Sequence, residues 1–283
     1  MAEILRLEGL CKRYPAFSLE DVSFSMEEGS VMGFIGRNGA GKTTTLKSLL
    51  HFVHPDAGKI TVFGLDMDGR EREIREQIGF VSGGIQYYPR KRLGELTRVT
   101  KAFYPGWDDA LYRQCLSRFS LDENKRVAEL SEGMKVKYQL AAAMSHRARL
   151  LVFDEPTSGL DPVSRDDLLD LFLTLREEGA SILFSTHITT DLEACADTIT
   201  YIRQGRVRDS CPLADFLARW TLVKGPPESL TPALRQALIG ARSHASGFEG
   251  LLPAGRPAPA GCETARPSLE QIMVHLEKEA DRT

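Results

Sequence analysis

The run Gly36-Arg37-Asn38-Gly39-Ala40-Gly41-Lys42-Thr43 has the residue types and spacing to hold a polyphosphate. Its glycines let the backbone bend so that several N–H groups converge on one anion. Lys42 brings a positive charge for β- and γ-phosphates, and the Thr43 hydroxyl is a ligand for Mg²⁺. Such a pattern arises by chance in roughly one chain of this length in a hundred. Val31-Met32-Gly33-Phe34-Ile35 before it reads as a buried strand, and Thr44-Thr45-Leu46-Lys47 after it opens a helix. Strand, loop and helix is the order the motif requires. By itself the loop leaves kinase, GTPase and ATPase open.

Later segments narrow the chemistry. Leu150-Leu151-Val152-Phe153-Asp154-Glu155 is an apolar strand ending in two carboxylates. Asp154 is placed for a Mg²⁺ shell, and Glu155 for a general base on the attacking water. Taken alone, the pair reads equally well as a solvated acidic turn. Ser131 suits an N-cap, and Gly133 allows close approach of a backbone, so a second anion site at a helix start competes with a plain cap. Ser158-Gly159-Leu160-Asp161-Pro162 sets Asp161 just before a helix whose first residue is proline, which capping alone would also explain. Phe184-Ser185-Thr186-His187 ends a strand on a histidine. A lone histidine is more often structural, but one at the carboxyl end of a parallel strand faces the ligand crevice.

These residues need a scaffold. Strands are expected at 3–8, 19–26, 59–63, 78–81, 149–153, 181–185 and 198–202, and helices at 42–52 and 162–178. Residues 92–146 read as almost wholly helical, with Asp108 and Ser131 as caps. The alternation predicts an α/β fold: a P-loop core with a mainly parallel sheet and an inserted helical subdomain at about 84–147. The expected domains are 1–212 for the core and 213–283 for a small accessory segment. In the latter, the Gly- and Pro-rich stretch from Phe248 to Pro267 reads as loop and 269–276 as an amphipathic helix. The chain has 283 residues, 42% hydrophobic and 27% charged, with net charge −3, so no global field for a polyanion is implied. Its longest apolar runs fall far short of the roughly 20 residues of a membrane span. The alternating, charged N-terminus does not resemble a signal peptide, and five scattered cysteines suggest reduced thiols in the cytoplasm.

The ordered set GRNGAGKT, LSEGM, LLVFDEP, SGLD and STH resembles the nucleotide-binding subunit of an ABC transporter, over residues 1 to about 210. The likeness is nearest to a bacterial branch of single-domain ATPases serving exporters, with an antiparallel N-terminal β subdomain. It implies ATP and Mg²⁺ as cofactors and ATP hydrolysis coupled to transport. It assigns Gly36 to Thr44 to the nucleotide, Thr43 and Asp154 to the metal, and Glu155, His187 and Lys42 to catalysis. Tyr14 matches the aromatic that stacks on adenine, although a turn tyrosine is an equal reading. Ser131, Gly133 and Asp161 match residues that complete the site of a second ATPase subunit. Two departures stand out. The position where the family has glutamine falls on Gly83 and Gly84, leaving Gln86 as the candidate substitute at the metal. The signature carries Glu132 and Met134 where Gly and Gln are commoner.

The resemblance further implies a separate membrane permease, dimer closure on ATP, and a location on the inner face of the cell membrane. Tyr87-Tyr88-Pro89-Arg90-Lys91-Arg92 is a candidate permease contact, with a solvated basic turn as the alternative. No nucleic-acid partner is expected, because the stretch between Lys42 and Ser131 is too short for the long coiled coil of DNA-repair relatives. Ribosome-associated relatives carry two cassettes, and this chain has one. A P-loop kinase would not need the signature, and Lys42, Asp154 and Glu155 together oppose a non-catalytic regulator.

Overall fold

The computed structural model describes residues 2–83, 88–257 and 260–280. Alternating apolar side chains make a hairpin of β1 (Glu3–Tyr14) and β2 (Phe17–Glu27), antiparallel, with Tyr14 opposite Phe17. Leu7 and Leu10 are both buried although an odd spacing should put them on opposite faces. A register shift between them restores the alignment, as a bulge does.

β3 (Val31–Ile35) is buried at every position, as a central parallel strand must be. It is followed by α1 (Lys42–Leu49), β4 (Ala57–Val62), β5 (Leu65–Asp66), α2 (Met67–Arg75) and β6 (Ile78–Ser82). Three helices come next: α3 (Leu93–Lys101), α4 (Asp109–Arg118) and α5 (Glu132–Ser145). The chain returns through β7 (Leu150–Asp154), α6 (Pro162–Glu177), β8 (Ser181–Thr186), α7 (Thr189–Cys195), β9 (Thr198–Arg203) and β10 (Arg206–Pro212). One sheet runs β2-β1-β4-β5, with antiparallel pairing. The other runs β10-β9-β3-β8-β7-β6, and every pairing from β9 to β6 is parallel. The α/β class, the parallel-rich sheet, the antiparallel N-terminal sheet and the helices between β6 and β7 agree with the expectation from sequence. Phe24 and Phe34, with ring centroids 5.4 Å apart, join the two sheets in one core.

Residues 92–146 are less helical than expected. Asp108 caps α4 by accepting from the N–H groups of Ala110 and Leu111, which ends the preceding turn. Ser120, at φ 52°, stops the helix again. The inserted helices are tied together by the buried Thr97 hydroxyl, 2.6 Å from the Tyr112 hydroxyl and 3.0 Å from that of Tyr138. α1 also ends earlier than expected, since His51 takes φ 53°.

The chain divides into two compact units, residues 1–210 and 211–283. The second contains α8 (Leu213–Ala218), β11 (Trp220–Gly225), α9 (Pro232–Ala237), β12 (Ile239–His244), β13 (Gly247–Pro253), β14 (Glu263–Ala265) and α10 (Leu269–Ala280). Its antiparallel sheet runs β12-β13-β11-β14. The reading of Phe248 to Pro267 as loop is therefore corrected: it holds most of β13 and all of β14. Gly250 misled the pattern. A side chain there would meet the Leu238 Cβ at 3.0 Å, so the glycine makes room for packing inside a strand. α10 buries Leu269, Ile272, Met273 and His275, and the His275 Nδ1 lies 2.9 Å from the Gly240 carbonyl of β12.

Candidate active site

Strand order creates the site. β3, β8 and β7 are neighbours in the parallel sheet, so their carboxyl ends lie side by side. The register sets Ile35 beside Thr186 and Asp154 beside Ser185. Three sequence-distant segments are thereby brought together: the 36–43 loop, the Asp154-Glu155 turn and the Thr186-His187 turn.

The loop is shaped by close approach. A Cβ on Gly36 would sit 2.3 Å from the Ile202 carbonyl oxygen, which no side chain tolerates. Gly41, at φ 115°, starts α1 with no side-chain cap and no acidic residue in the first turn. That helix start is left to an anion. Lys42 is buried, and its Nζ donates to the carbonyls of Gly36 at 2.7 Å and Arg37 at 3.3 Å. The same Nζ is 3.1 Å from the Glu155 Oε1.

Glu155 connects both sides of the site. Its other oxygen, Oε2, lies 2.7 Å from the His187 Nδ1. Its backbone takes φ 51°, a conformation that a non-glycine residue holds only when its surroundings enforce it. Ser185 enforces it: the Glu155 N–H donates to the Ser185 hydroxyl at 3.0 Å. The Ser185 hydroxyl in turn donates to Asp154 Oδ1 at 2.7 Å, and Thr43 Oγ1 donates to the same oxygen at 3.1 Å. One serine thus fixes both carboxylates. Ser185 has no role legible in the sequence, because a serine ending a buried strand carries no signal apart from its neighbour His187.

Thr43 and Asp154 offer two hard oxygens at the mouth of the phosphate loop, a set that suits Mg²⁺ completed by water and phosphate. Among the described residues no group of three or more His, Cys, Asp and Glu is arranged to hold a metal. Mg²⁺ bound with a nucleotide needs no such cage. Gln86, Gly84 and Tyr87 lie outside the described residues.

Arg37, Asn38, Gly39 and Ala40 form the bend of the loop, closed by the Ala40 N–H on the Arg37 carbonyl at 3.0 Å, and Thr44 lies in the first turn of α1. Tyr14 is 43% exposed at the tip of the hairpin, opposite Phe17. Phe17 itself approaches Gly41, which sets the hairpin tip against the start of α1. Ser131, Gly133 and Asp161 belong to a second cluster. Ser131 caps α5 through the Met134 N–H at 3.2 Å. A Cβ on Gly133 would meet Ser164 at 3.5 Å and Leu160 at 3.9 Å, both ordinary contacts, so nothing among the described residues requires glycine there. Asp161 caps α6 and accepts from the Ser164 hydroxyl at 2.6 Å. That hydroxyl first, with the capped N–H groups, holds the Asp161 carboxyl below its usual range.

Comparison with known proteins places this geometry in a family. The family model described as "ABC transporter" matches residues 19–158. The ABC transporter ATP-binding protein NatA of Bacillus subtilis (strain 168) is 34% identical over 197 residues, 67% of this chain and 80% of that protein. The Nod factor export ATP-binding protein I of Burkholderia orbicola (strain AU 1054) is 37% identical over 202 residues, 69% of this chain and 66% of that protein. The bacitracin transport ATP-binding protein BcrA of Bacillus licheniformis is 30% identical, over 75% of this chain and 71% of its own length. A solved ATP-binding subunit of an ABC transporter superposes with TM-score 0.67 and 32% identity, over 75% of this chain and 91% of that one.

Proposed function

The chain belongs to the ABC transporter ATP-binding proteins, and we propose that it hydrolyses Mg²⁺-bound ATP as one half of a dimer that drives export through a separate membrane permease. The observation that carries this reading is the line Lys42–Glu155–His187 beside the Thr43–Asp154 pair, at the ends of adjacent strands. Lys42 and the start of α1 hold the β- and γ-phosphates. Thr43 and Asp154 hold Mg²⁺, whose charge offsets that of the phosphates. Glu155 accepts a proton from the water that attacks the γ-phosphorus, and ADP departs with the β–γ bridging oxygen as the bond from that oxygen to the γ-phosphorus breaks. His187 holds Glu155 and contacts the γ-phosphate. Tyr14 stacks on the adenine ring, and Gln86 is the candidate additional metal contact.

Ser131 and Gly133 are turned to other work. Their neighbours within the chain are Met134, Ser164 and Leu160, so they are available to cap ATP held by a second copy or a related chain. ATP then bridges two subunits, and its hydrolysis releases them. Purified protein is expected to hydrolyse ATP with Mg²⁺, to stop with EDTA, and to shift from monomer to dimer in light scattering when ATP is added. Persistent monomer at high protein and ATP concentration would remove the two-chain site.

No helix among the described residues is long and apolar enough to cross a membrane. In the proposed cycle a separate permease docks on a surface of this chain, at the inner face of the cell membrane. A cleft of about 760 Å³ between α2, β6 and the end of α3 is suited to a short permease segment. Its apolar residues include the exposed Phe52 and Phe103, and Arg75 lies over the Phe52 ring at 4.8 Å. Aromatic groups and arginine are the residue types enriched in protein interfaces. The fully described part of the basic stretch, Tyr88 to Arg92, also presents an exposed tyrosine. The export reading is supported by the relatives named for Nod factor export and bacitracin transport. In inside-out vesicles holding the permease, ATP should drive uptake of the transported compound. A Phe52→Ser/Phe103→Ser variant should leave the vesicles while still binding ATP. ATP-driven loss from such vesicles would reverse the direction, and retained binding of the variant would clear the cleft of this role.

A further inference from the structure

Asp191, on the short helix α7, is fully buried and bears a carboxylate. Burying a carboxylate is tolerated only where its oxygens are taken up by donors. Here the donors come from three different segments. Thr157 donates to Oδ2 at 2.7 Å, Thr186 donates to the same oxygen at 3.2 Å, and Arg165 Nε donates to Oδ1 at 2.5 Å. Each donor is tied to a residue of the ATPase site. Thr186 immediately precedes His187, and its hydroxyl also receives the Ile188 N–H at 3.0 Å, closing the turn that aims the histidine. Thr157 lies two residues after Glu155 in the turn leaving β7. Arg165 lies one turn after Asp161 and donates its backbone N–H to the Asp161 carbonyl at 3.0 Å.

We propose that Asp191 is a positioning residue of this ATPase: its carboxylate locks the His187 turn, the turn after Glu155 and the first turn of α6 into one arrangement. This rests on the functional reading above, in which His187, Glu155 and Asp161 act together. An apolar side chain at this position would leave those three donors unpaired. It would not give three segments a common hydrogen-bonding centre, so the 2.7 Å contact between His187 and Glu155 would lose one of its two supports, Ser185 being the other. The charge is felt locally: burial first, and Asp191 second, push the neighbouring Cys195 thiol up to about 12. The bonds at Asp191 come from Thr157, Thr186 and Arg165 and not from the phosphate loop, so nucleotide affinity should be largely spared.

The test is Asp191→Asn, which keeps shape but turns one acceptor into a donor, compared with His187→Ala and the double variant. Folding is checked by circular dichroism, ATP binding by calorimetry, and turnover by phosphate release. In the folded single variant kcat should fall about tenfold or more, with the ATP Kd within about twofold. On the His187→Ala background the same change should cost less than about twofold, because the two act through one another. Unchanged kcat in folded Asp191→Asn, or a full and independent loss on the His187→Ala background, would overturn the proposal. Should Asp191→Asn not fold, Thr157→Val removes one donor at nearly constant volume. A loss of turnover at constant Kd is expected there, and wild-type turnover would overturn the proposal. Wild-type turnover in His187→Ala alone would instead sink the parent reading of the site.

Discussion

Glu155→Gln should leave a protein that still binds ATP and scarcely turns it over. The expected fall in kcat is about a hundredfold or more, the scale on which a positioned general base contributes. The substitution is close to isosteric, so the amide can still accept from His187, and the backbone at φ 51° is still held by Ser185. What disappears is a group able to take the proton of the attacking water. The negative charge beside Lys42 disappears as well. Lys42 keeps its bonds to the carbonyls of Gly36 and Arg37, so the loop is expected to keep its shape and the ATP Kd to stay within about threefold. Because release of the two-chain complex follows hydrolysis in the proposed cycle, the variant should also accumulate as an ATP-bound dimer in gel filtration. Turnover at the wild-type rate would remove Glu155 as the base and leave it as a partner for Lys42 and His187.

Which parts of this molecule were legible in its sequence follows from how local each signal is. The phosphate loop is read from consecutive residues because its demands are local: Gly36 must let the Ile202 carbonyl approach, and Gly41 must take a positive φ. The Asp154-Glu155 and Thr186-His187 turns were legible as apolar strands ending in polar residues, and the sheet order then brought them together. Ser185 and Asp191 were not. A serine closing a buried strand, or an aspartate in a short helix, gives no pattern until the tertiary fold shows which donors and acceptors surround it. The second unit was read worst. Its strands pair antiparallel over short spans, and Gly250 interrupts the alternation of β13 so that Leu238 can pack against it. The helices between β6 and β7 were overextended for a related reason: helical composition persists through Ser120, while its backbone turns to positive φ.

Lys42→Met should act on the opposite step, abolishing tight nucleotide binding instead of sparing it. Lys42 is only 5% exposed, and its ammonium sits among the Gly36 carbonyl, the Arg37 carbonyl and Glu155 Oε1. Methionine follows a similar path with an unbranched, adaptable stem, so the packing of α1 is expected to survive. Three electrostatic consequences follow together. The Gly36 carbonyl loses its donor, which costs about 1–3 kcal/mol if the group stays dry. Glu155 loses the cation that balances it. The β- and γ-phosphates lose this buried ammonium, leaving the loop N–H groups, the start of α1, Mg²⁺ and His187 to hold them. Charge-assisted hydrogen bonds are about twice as strong as neutral ones, so ATP affinity should drop at least about tenfold, with turnover below detection. Lys42→Arg should rescue little: a planar guanidinium is larger and rigidly forked, and it cannot place its charge where a compact ammonium meets two loop carbonyls and one carboxylate. Calorimetric titration with ATP checks both variants. Wild-type affinity in Lys42→Met, with turnover lost, would shift the role of this lysine from holding the nucleotide to acting on its γ-phosphate alone.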